Sequence, residues 1–267
     1  MTQIADPAGS SIRDSLAAWA SPGVTALATA DGRRLDLPGV WNLRDVGGYP
    51  VAGGGQIRWR TLLRSDALHQ LDGTGLAALR GLGLRTIVDL RTLPEAEMAP
   101  SAVAGLPART THISLLGGDL ESLPLELAAI YRYLIDERGP AIAEAIKVLS
   151  EPDAMPAMVH CSAGKDRTGV VCALVLAAVG VPDEYIVADY ALSSVYLDPQ
   201  RTPAIGRLQA STGLGDEVTR ALLGSPPALI LDVLDRVRGR AGSAGGYLRE
   251  HGLTEADLAR LRAVLVG

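Results

Sequence analysis

Apolar residues in this 267-residue chain fall into blocks whose period changes from block to block, and the changes outline an alternation of strands and helices. Thr74–Leu82 repeats its apolar positions at helical spacing, whereas Arg85–Leu90 is a short β-rich run that reads as a buried strand. Thr110–Leu116 is a further strand candidate. Leu125–Asp136 and Ala141–Leu149 are helical, with Gly139-Pro140 as the break between them. A strand around Met158 is followed by a loop and by the longest apolar run, Val170 to Val181, too short to span a bilayer and read as a buried helix. Towards the start, Ile12–Trp19 predicts a helix, and Val24–Leu63 predicts short strands with turns at Asp31-Gly32 and Gly53-Gly54-Gly55.

Beyond Val181-Pro182 the pattern changes. Asp183–Ser194 predicts a helix, after which Pro199, Pro203, Gly213, Gly215, Gly224, Pro226 and Pro227 interrupt the chain. Helix-capable pieces remain at Ala204–Gln209, Glu217–Leu223 and Ala228–Val237. A last helix covers Thr254–Val264, where Thr254 and Asp257 are spaced as a capping box. Strands alternating with helices predict an α/β fold: a mostly parallel central sheet flanked by helices, with ligands at the carboxyl ends of its strands. We expect a single domain over residues 1–267, with residues 195–240 forming a helical insertion within it.

The chemistry sits between the Met158 strand and the helix after it. His160-Cys161-Ser162-Ala163-Gly164-Lys165-Asp166-Arg167-Thr168-Gly169 places a cysteine five residues before an arginine and a hydroxyl after that arginine. A loop closing onto a helix N-terminus gathers backbone N–H groups around one point and aims the helix dipole at it. Such a nest, formed here by Ser162 to Thr168, suits a phosphate, and the planar fork of Arg167 matches two phosphate oxygens. Cationic neighbours and a helix N-terminus favour a thiolate, the nucleophilic form of cysteine. Cys161 is therefore the candidate nucleophile of a phosphatase, forming a phosphocysteine that water then hydrolyses. Arg167 would stabilise the transferring phosphoryl group, Thr168 would donate to the departing thiolate, and His160 would orient the loop.

The decapeptide resembles the signature loop of the protein tyrosine phosphatase superfamily. Its Gly-Lys-Asp-Arg-Thr-Gly version resembles that of an atypical bacterial branch with mycobacterial members. Asn42-Leu43-Arg44-Asp45-Val46-Gly47-Gly48-Tyr49 is similar to that branch's N-x-R-D-x-G-G motif. Leu63-Arg64-Ser65-Asp66 and Val88-Asp89-Leu90-Arg91 stand where the branch has its R-S and D-L-R segments. The matches run from about Gly39 to about Tyr190. The resemblance implies a tyrosine phosphatase-like fold with a helical lid, here within 195–240. It also implies phosphoprotein and phosphoinositide substrates, and secretion without a standard signal peptide as an alternative to a cytoplasmic location.

An alcohol or phenol leaving group needs a proton, and no Trp-Pro-Asp motif supplies the acid. Asp89 is the first choice, at the end of its buried strand. Asp166, inside the loop, is the second, and Asp119, in Gly117-Gly118-Asp119, is the third. Asp45 with Arg44, and Asp66 with Arg64, read as structural ion pairs beneath the loop. Two other readings share a cysteine in an anion-binding loop: a rhodanese-like persulfide or redox module, and a phosphate-binding module without turnover. Arg167 followed by Thr168-Gly169 favours the phosphatase.

Composition narrows the picture further. A net charge of −5 argues against nucleic-acid binding, so the phosphate site is expected as a local positive pocket on an acidic body. Only two of the 25 basic residues are lysines, and one of them, Lys165, lies in the loop. A lysine on the rim would offer a mobile point charge to a second phosphate of a substrate. Two cysteines are too few for a disulfide scaffold, and Cys172 falls within an apolar helix as a core residue. The four histidines form no cluster with metal-ligand spacing, so neither metal nor cofactor is expected. The first residues lack the basic and apolar regions of a secretory signal. The pattern leaves oligomeric state open, and the absence of Phe has no functional explanation.

Overall fold

Side chains of successive strand residues point to opposite faces, and the apolar strands of this chain cover both. The computed structural model describes residues 20–117, 126–198 and 224–267. Among these residues, β1 (Arg44–Asp45), β2 (Leu62–Ser65), β3 (Thr86–Asp89), β4 (Arg109–His112) and β5 (Ala157–His160) form one sheet in the order β1-β2-β5-β3-β4. Only the β1–β2 pairing is antiparallel. On one face Leu62, Val88, Ala157 and Val159 join the main core; on the other Leu63, Ile87 and Met158 meet Leu43, Leu68, Leu79 and Leu84. A sheet buried on both sides is the expected α/β arrangement.

The helices are α1 (Pro22–Ala28), α2 (Gly73–Gly81), α3 (Leu93–Met98), α4 (Leu127–Glu137), α5 (Gly139–Ser150), α6 (Asp166–Ala178), α7 (Asp183–Tyr196), α8 (Pro227–Ala241), α9 (Ala244–Glu250) and α10 (Glu255–Leu265). Helix α6 follows β5 and is sheathed by its neighbours, so all its residues from Arg167 to Leu176 are buried. Helix α8 buries Ile230, Val233, Leu234 and Val237, spaced i, i+3, i+4 and i+7, in the main core. Thus the described part of 195–240 is the end of α7 and a core helix. The rest of the expected lid, 199–223, lies outside the described residues, as do the predicted helices at 12–19, 204–209 and 217–223. The capping box of α10 is formed as its sequence indicates.

Three elements depart from the sequence pattern. The region from Val24 opens as helix α1 rather than a strand, because Ser21 accepts from the Val24 N–H and Pro22 occupies the first turn. Helix α3 buries no residue and so shows no apolar period; its Thr92–Glu95 capping box holds it. Helix α9 contains two glycines, yet Ser243 caps it and Tyr247 and Leu248 anchor it in the core. Among the described residues no helix is long and apolar enough to cross a membrane.

Register positions the site. Ser65, His160 and Asp89 are aligned side by side across β2, β5 and β3, so three separated motifs reach one edge of the sheet together. The glycines of the Asn42–Tyr49 motif serve packing instead. Gly48 has φ +81°, and a Cβ there would lie 2.3 Å from the Trp59 ring; one on Gly47 would lie 2.6 Å from Trp59 Cα. Trp59 in turn flanks the Arg33 guanidinium, which also stacks on Tyr49 at 4.0 Å. Gly48→Ala adds left-handed backbone strain to a clash with Trp59 and is expected to cost about 2–4 kcal/mol. Its measured check is chemical denaturation, where the midpoint should fall while the slope stays unchanged.

Candidate active site

The loop between β5 and α6 is held by its carbonyl groups. Ser162 O accepts from Ala67 N at 3.0 Å, and Ala163 O from Asn42 Nδ2 at 2.8 Å. Arg64 Nη2 donates to Gly164 O at 2.8 Å and to Lys165 O at 3.3 Å. In a planar trans peptide the carbonyl and the following N–H point in opposite directions. Four carbonyls turned out towards these donors therefore turn the N–H groups of Ala163, Gly164, Lys165 and Asp166 to the inner side. Converging N–H groups of this kind have the geometry of an anion nest. Gly164 has φ +67°, and a Cβ on it would lie 2.3 Å from Ser65 O, so the loop can press against β2 only with glycine there.

The donors are themselves fixed by a buried network. Arg64 Nη1 reaches Asp189 Oδ2 at 2.6 Å, and Arg44 Nε reaches Asp189 Oδ1 at 3.2 Å. Arg44 also donates to Ser193 Oγ at 2.9 Å and to Asn42 Oδ1. Burial would raise the Asp189 carboxyl, but the two guanidinium groups outweigh it and hold it below the ordinary range. Both ion pairs expected from the sequence are corrected here. Arg44 and Asp45 are successive strand residues facing opposite ways, and Asp45 instead accepts from the Gly47 and Arg60 N–H groups. Asp66, past the end of β2, accepts from Trp41 N and Asn42 N, and its burial pushes its carboxyl up to about 6.

Cys161 is 2% exposed at the base of the loop. The Arg167 guanidinium forms a two-point pair with Glu95 at 2.5 and 2.8 Å, and Ser162 Oγ donates to the same carboxylate at 2.6 Å. Burial alone would lower the Arg167 pKa, but Cys161, Glu95 and Asp166 outweigh it and keep the group firmly cationic. His160 is buried, with Nδ1 3.4 Å from Cys161 O; its burial pulls it down to about 4 against the attraction of Asp89, so it is neutral at pH 7. Thr168 Oγ1 is buried without a hydrogen-bond partner. Burial lifts the Cys172 thiol to about 11, which fits core packing.

The acid candidates are now distinguishable. Asp89 accepts three bonds from the Arg91 side chain, at 2.7–3.1 Å, and one from its N–H. Burial would raise it, yet Arg91 holds it below the ordinary range. That geometry braces the turn after β3 and leaves Asp89 ionised. Asp166, the first residue of α6, keeps 26% of its side chain exposed and takes one bond from Tyr131 at 2.7 Å. Asp119 lies outside the described residues. Lys165 does not stand on an open rim: it is 1% exposed, and Nζ donates to Gly224 O at 2.9 Å and lies 3.3 Å from Asp166 Oδ1. The segment entering α8 covers it.

Glu95, Asp189, Tyr131 and Tyr190 are site residues that sequence reasoning missed. Glu95 had a visible signal, the Thr92-x-x-Glu95 spacing just after Asp89-Leu90-Arg91. Burial would raise the Glu95 carboxyl, but Arg167, Ser162 and the Thr92 N–H outweigh it, moving it from 4.5 to about 2.

The family model described as the tyrosine phosphatase family matches residues 35–267. The triple specificity protein phosphatase PtpB of Mycobacterium tuberculosis is 33% identical over 276 residues, covering 87% of this chain and 99% of PtpB. A tyrosine-protein phosphatase of Nostoc commune is 28% identical over 215 residues, with 76% of this chain and 73% of that protein covered. A putative tyrosine-protein phosphatase of Cupriavidus necator is 28% identical over 254 residues, with 90% and 92% covered.

The Glu95–Arg167 pair makes a pH-dependent contribution. A carboxyl held at about 2 in the fold and near 4.5 when unfolded stabilises the native state above the higher value, and loses this effect as pH falls towards the lower one. The stability gap between wild type and Glu95→Gln should thus be full above about pH 5, at about 2–3 kcal/mol after allowance for screening of the partly exposed pair, and close towards pH 2. Denaturant titrations at several pH values measure it.

Proposed function

The chain belongs to the tyrosine phosphatase family, and on that premise we propose that it hydrolyses phosphotyrosine, and phosphoserine, phosphothreonine or phosphoinositide monoesters as well, through a phosphocysteine. The observation that carries this reading is the set of four loop carbonyls turned outward, with Arg167 beside Cys161. The name of the relative PtpB, a triple specificity phosphatase, supports the range beyond phosphotyrosine.

In the first step Cys161 Sγ attacks phosphorus and the ester P–O bond breaks. The inward N–H groups and Arg167 hold the non-bridging oxygens, whose charge shifts most in the transition state. The leaving oxygen takes a proton from Asp166, the better-placed acid because Arg91 already engages Asp89 fully. In the second step water attacks the phosphocysteine, gives a proton to Asp166, and the S–P bond breaks to regenerate the thiolate. The sum is ester plus water giving alcohol plus phosphate. Glu95 touches Arg167 rather than substrate and acts as its positioning residue.

Cys161→Ser removes the nucleophile but keeps the nest, so turnover of a phosphotyrosine peptide, a phosphoserine peptide and a phosphoinositide should fall by at least about a thousandfold. Phosphate should still bind, as isothermal titration would record. Residual activity near wild type would rule out the phosphocysteine. Loss of phosphotyrosine turnover alone would assign the other substrates to another route.

A further inference from the structure

Tyr131 and Tyr190 take no part in the chemistry above, yet they end at its acid. Tyr131 projects from α4 and Tyr190 from α7, and their rings meet edge-on with centroids 6.2 Å apart. The Tyr131 hydroxyl donates to Asp166 Oδ1 at 2.7 Å and lies 2.7 Å from the Tyr190 hydroxyl. A phenol has one proton to give, and that of Tyr131 is committed to Asp166, so Tyr190 is the donor in the second contact. The chain of bonds runs one way, Tyr190 to Tyr131 to Asp166. Burial raises the pKa of both phenols, Tyr131 far above its ordinary value, so neither surrenders its proton.

Asp166 Oδ1 also lies 3.3 Å from the Lys165 ammonium, which has only donors to offer. An oxygen already facing two donors is the poorer seat for the acid proton, because its lone pairs are engaged. Neutral Asp166 therefore favours protonation on Oδ2. The geometry points to Tyr131 as a positioning residue that fixes the transferable proton on one oxygen of Asp166 and holds that carboxyl in a single orientation. This rests on the reading of Asp166 as the general acid.

The same arrangement accounts for the last glycine of the loop motif. A Cβ on Gly169 would lie 2.9 Å from the Tyr190 ring, so any side chain there would push Tyr190 away from Tyr131. Gly169 is thereby tied to the acid, although it lies past the nucleophile, the nest and the arginine.

The test compares wild type with Tyr131→Phe, Tyr190→Phe and Asp166→Asn in the full chain. Each is assayed on an aryl phosphate bearing electron-withdrawing groups, whose phenolate leaves unprotonated, and on a phosphoserine peptide, whose alkoxide needs the proton. Asp166→Asn should lose about a hundredfold in kcat on the peptide and far less on the aryl ester. Tyr131→Phe should lose about tenfold in kcat on the peptide, with KM within about twofold, and under about threefold on the aryl ester. Tyr190→Phe should follow with about a threefold selective loss, and it decides the question should Tyr131→Phe fail to fold. If Asp166→Asn is selective while both Tyr variants lose equally on the two substrates, or lose nothing, the positioning role falls and the acid assignment stands. If Asp166→Asn itself shows no leaving-group selectivity, the acid assignment falls and this inference with it.

Discussion

Arg64 ties the phosphate loop to the body of the protein. A loop with converging N–H groups is unfavourable by itself, since its dipoles repel while no anion is bound, so each carbonyl needs an outside donor to keep it turned away. Arg64 supplies this for Gly164 and Lys165 while its other terminal nitrogen is fixed by Asp189. Asn42 supplies it for Ala163 and is in turn gripped by Arg44 and Asp66. The side chains of Arg64, Asp189, Asn42, Arg44 and Asp66 are all buried. Removing one member of such a network leaves an uncompensated charge, at a cost of about 3–5 kcal/mol, which is why the loop's shape is not negotiable. Two arginines sharing one carboxylate also leave positive charge beneath the nest. An acidic chain can thus present a local site for a phosphate dianion.

How legible the site was in the sequence depended on the distance between partners. Cys161, Arg167 and the nest residues are contiguous because the nest must be one turn of chain, so their placement together could be read directly. Arg44 and Arg64 could be placed beneath the loop from their motifs, but not paired: their carboxylate, Asp189, lies 145 and 125 residues further along, and only the packing of α7 brings it in. Sequence neighbours were the wrong guess, since strand geometry separates Arg44 from Asp45. The same limit hid Tyr131, 35 residues before the aspartate it serves. The parallel sheet was readable from the alternation of elements, while α1, α3 and α9 were not. Their stability comes from caps or a few anchoring contacts rather than from apolar period.

The two charged residues of the loop have separate duties in the folded chain. Read in isolation, Lys165 and Asp166 look like an added cation and an added acid on an open rim. The fold buries the lysine against Gly224 O, with its ammonium near the inner oxygen of Asp166, and keeps part of the aspartate exposed. Lys165 therefore helps to join the loop to the start of α8 and to its own neighbour. On the proposed reading, breadth of substrate would rest on the proton donor more than on an extra phosphate contact. A phosphoserine alkoxide is a far poorer leaving group than a phenolate, so the proposed acid in the loop, held by Tyr131, is what turnover of such an ester would require.

Arg167 shows how one side chain can be both anchored and available. A guanidinium has five donors in a plane, and Glu95 takes one from each terminal nitrogen. Nη2 also donates to Ser162 Oγ, which leaves the Nε–H and one Nη1–H for phosphoryl oxygens, so the arginine need not leave its partner to bind substrate. Glu95 can do this because its own position is overdetermined: the Thr92 N–H and hydroxyl and the Ser162 hydroxyl all donate to its carboxylate. A capping box that begins as a local device for starting α3 thus becomes the support of Arg167, the arginine proposed to hold the phosphoryl group. Because Ser162 binds both Glu95 and Arg167, the first residue after the nucleophile ties that support back to the loop. Preorganisation here arises from short-range helix-start chemistry placed opposite the loop by sheet register, with no element devoted to the purpose.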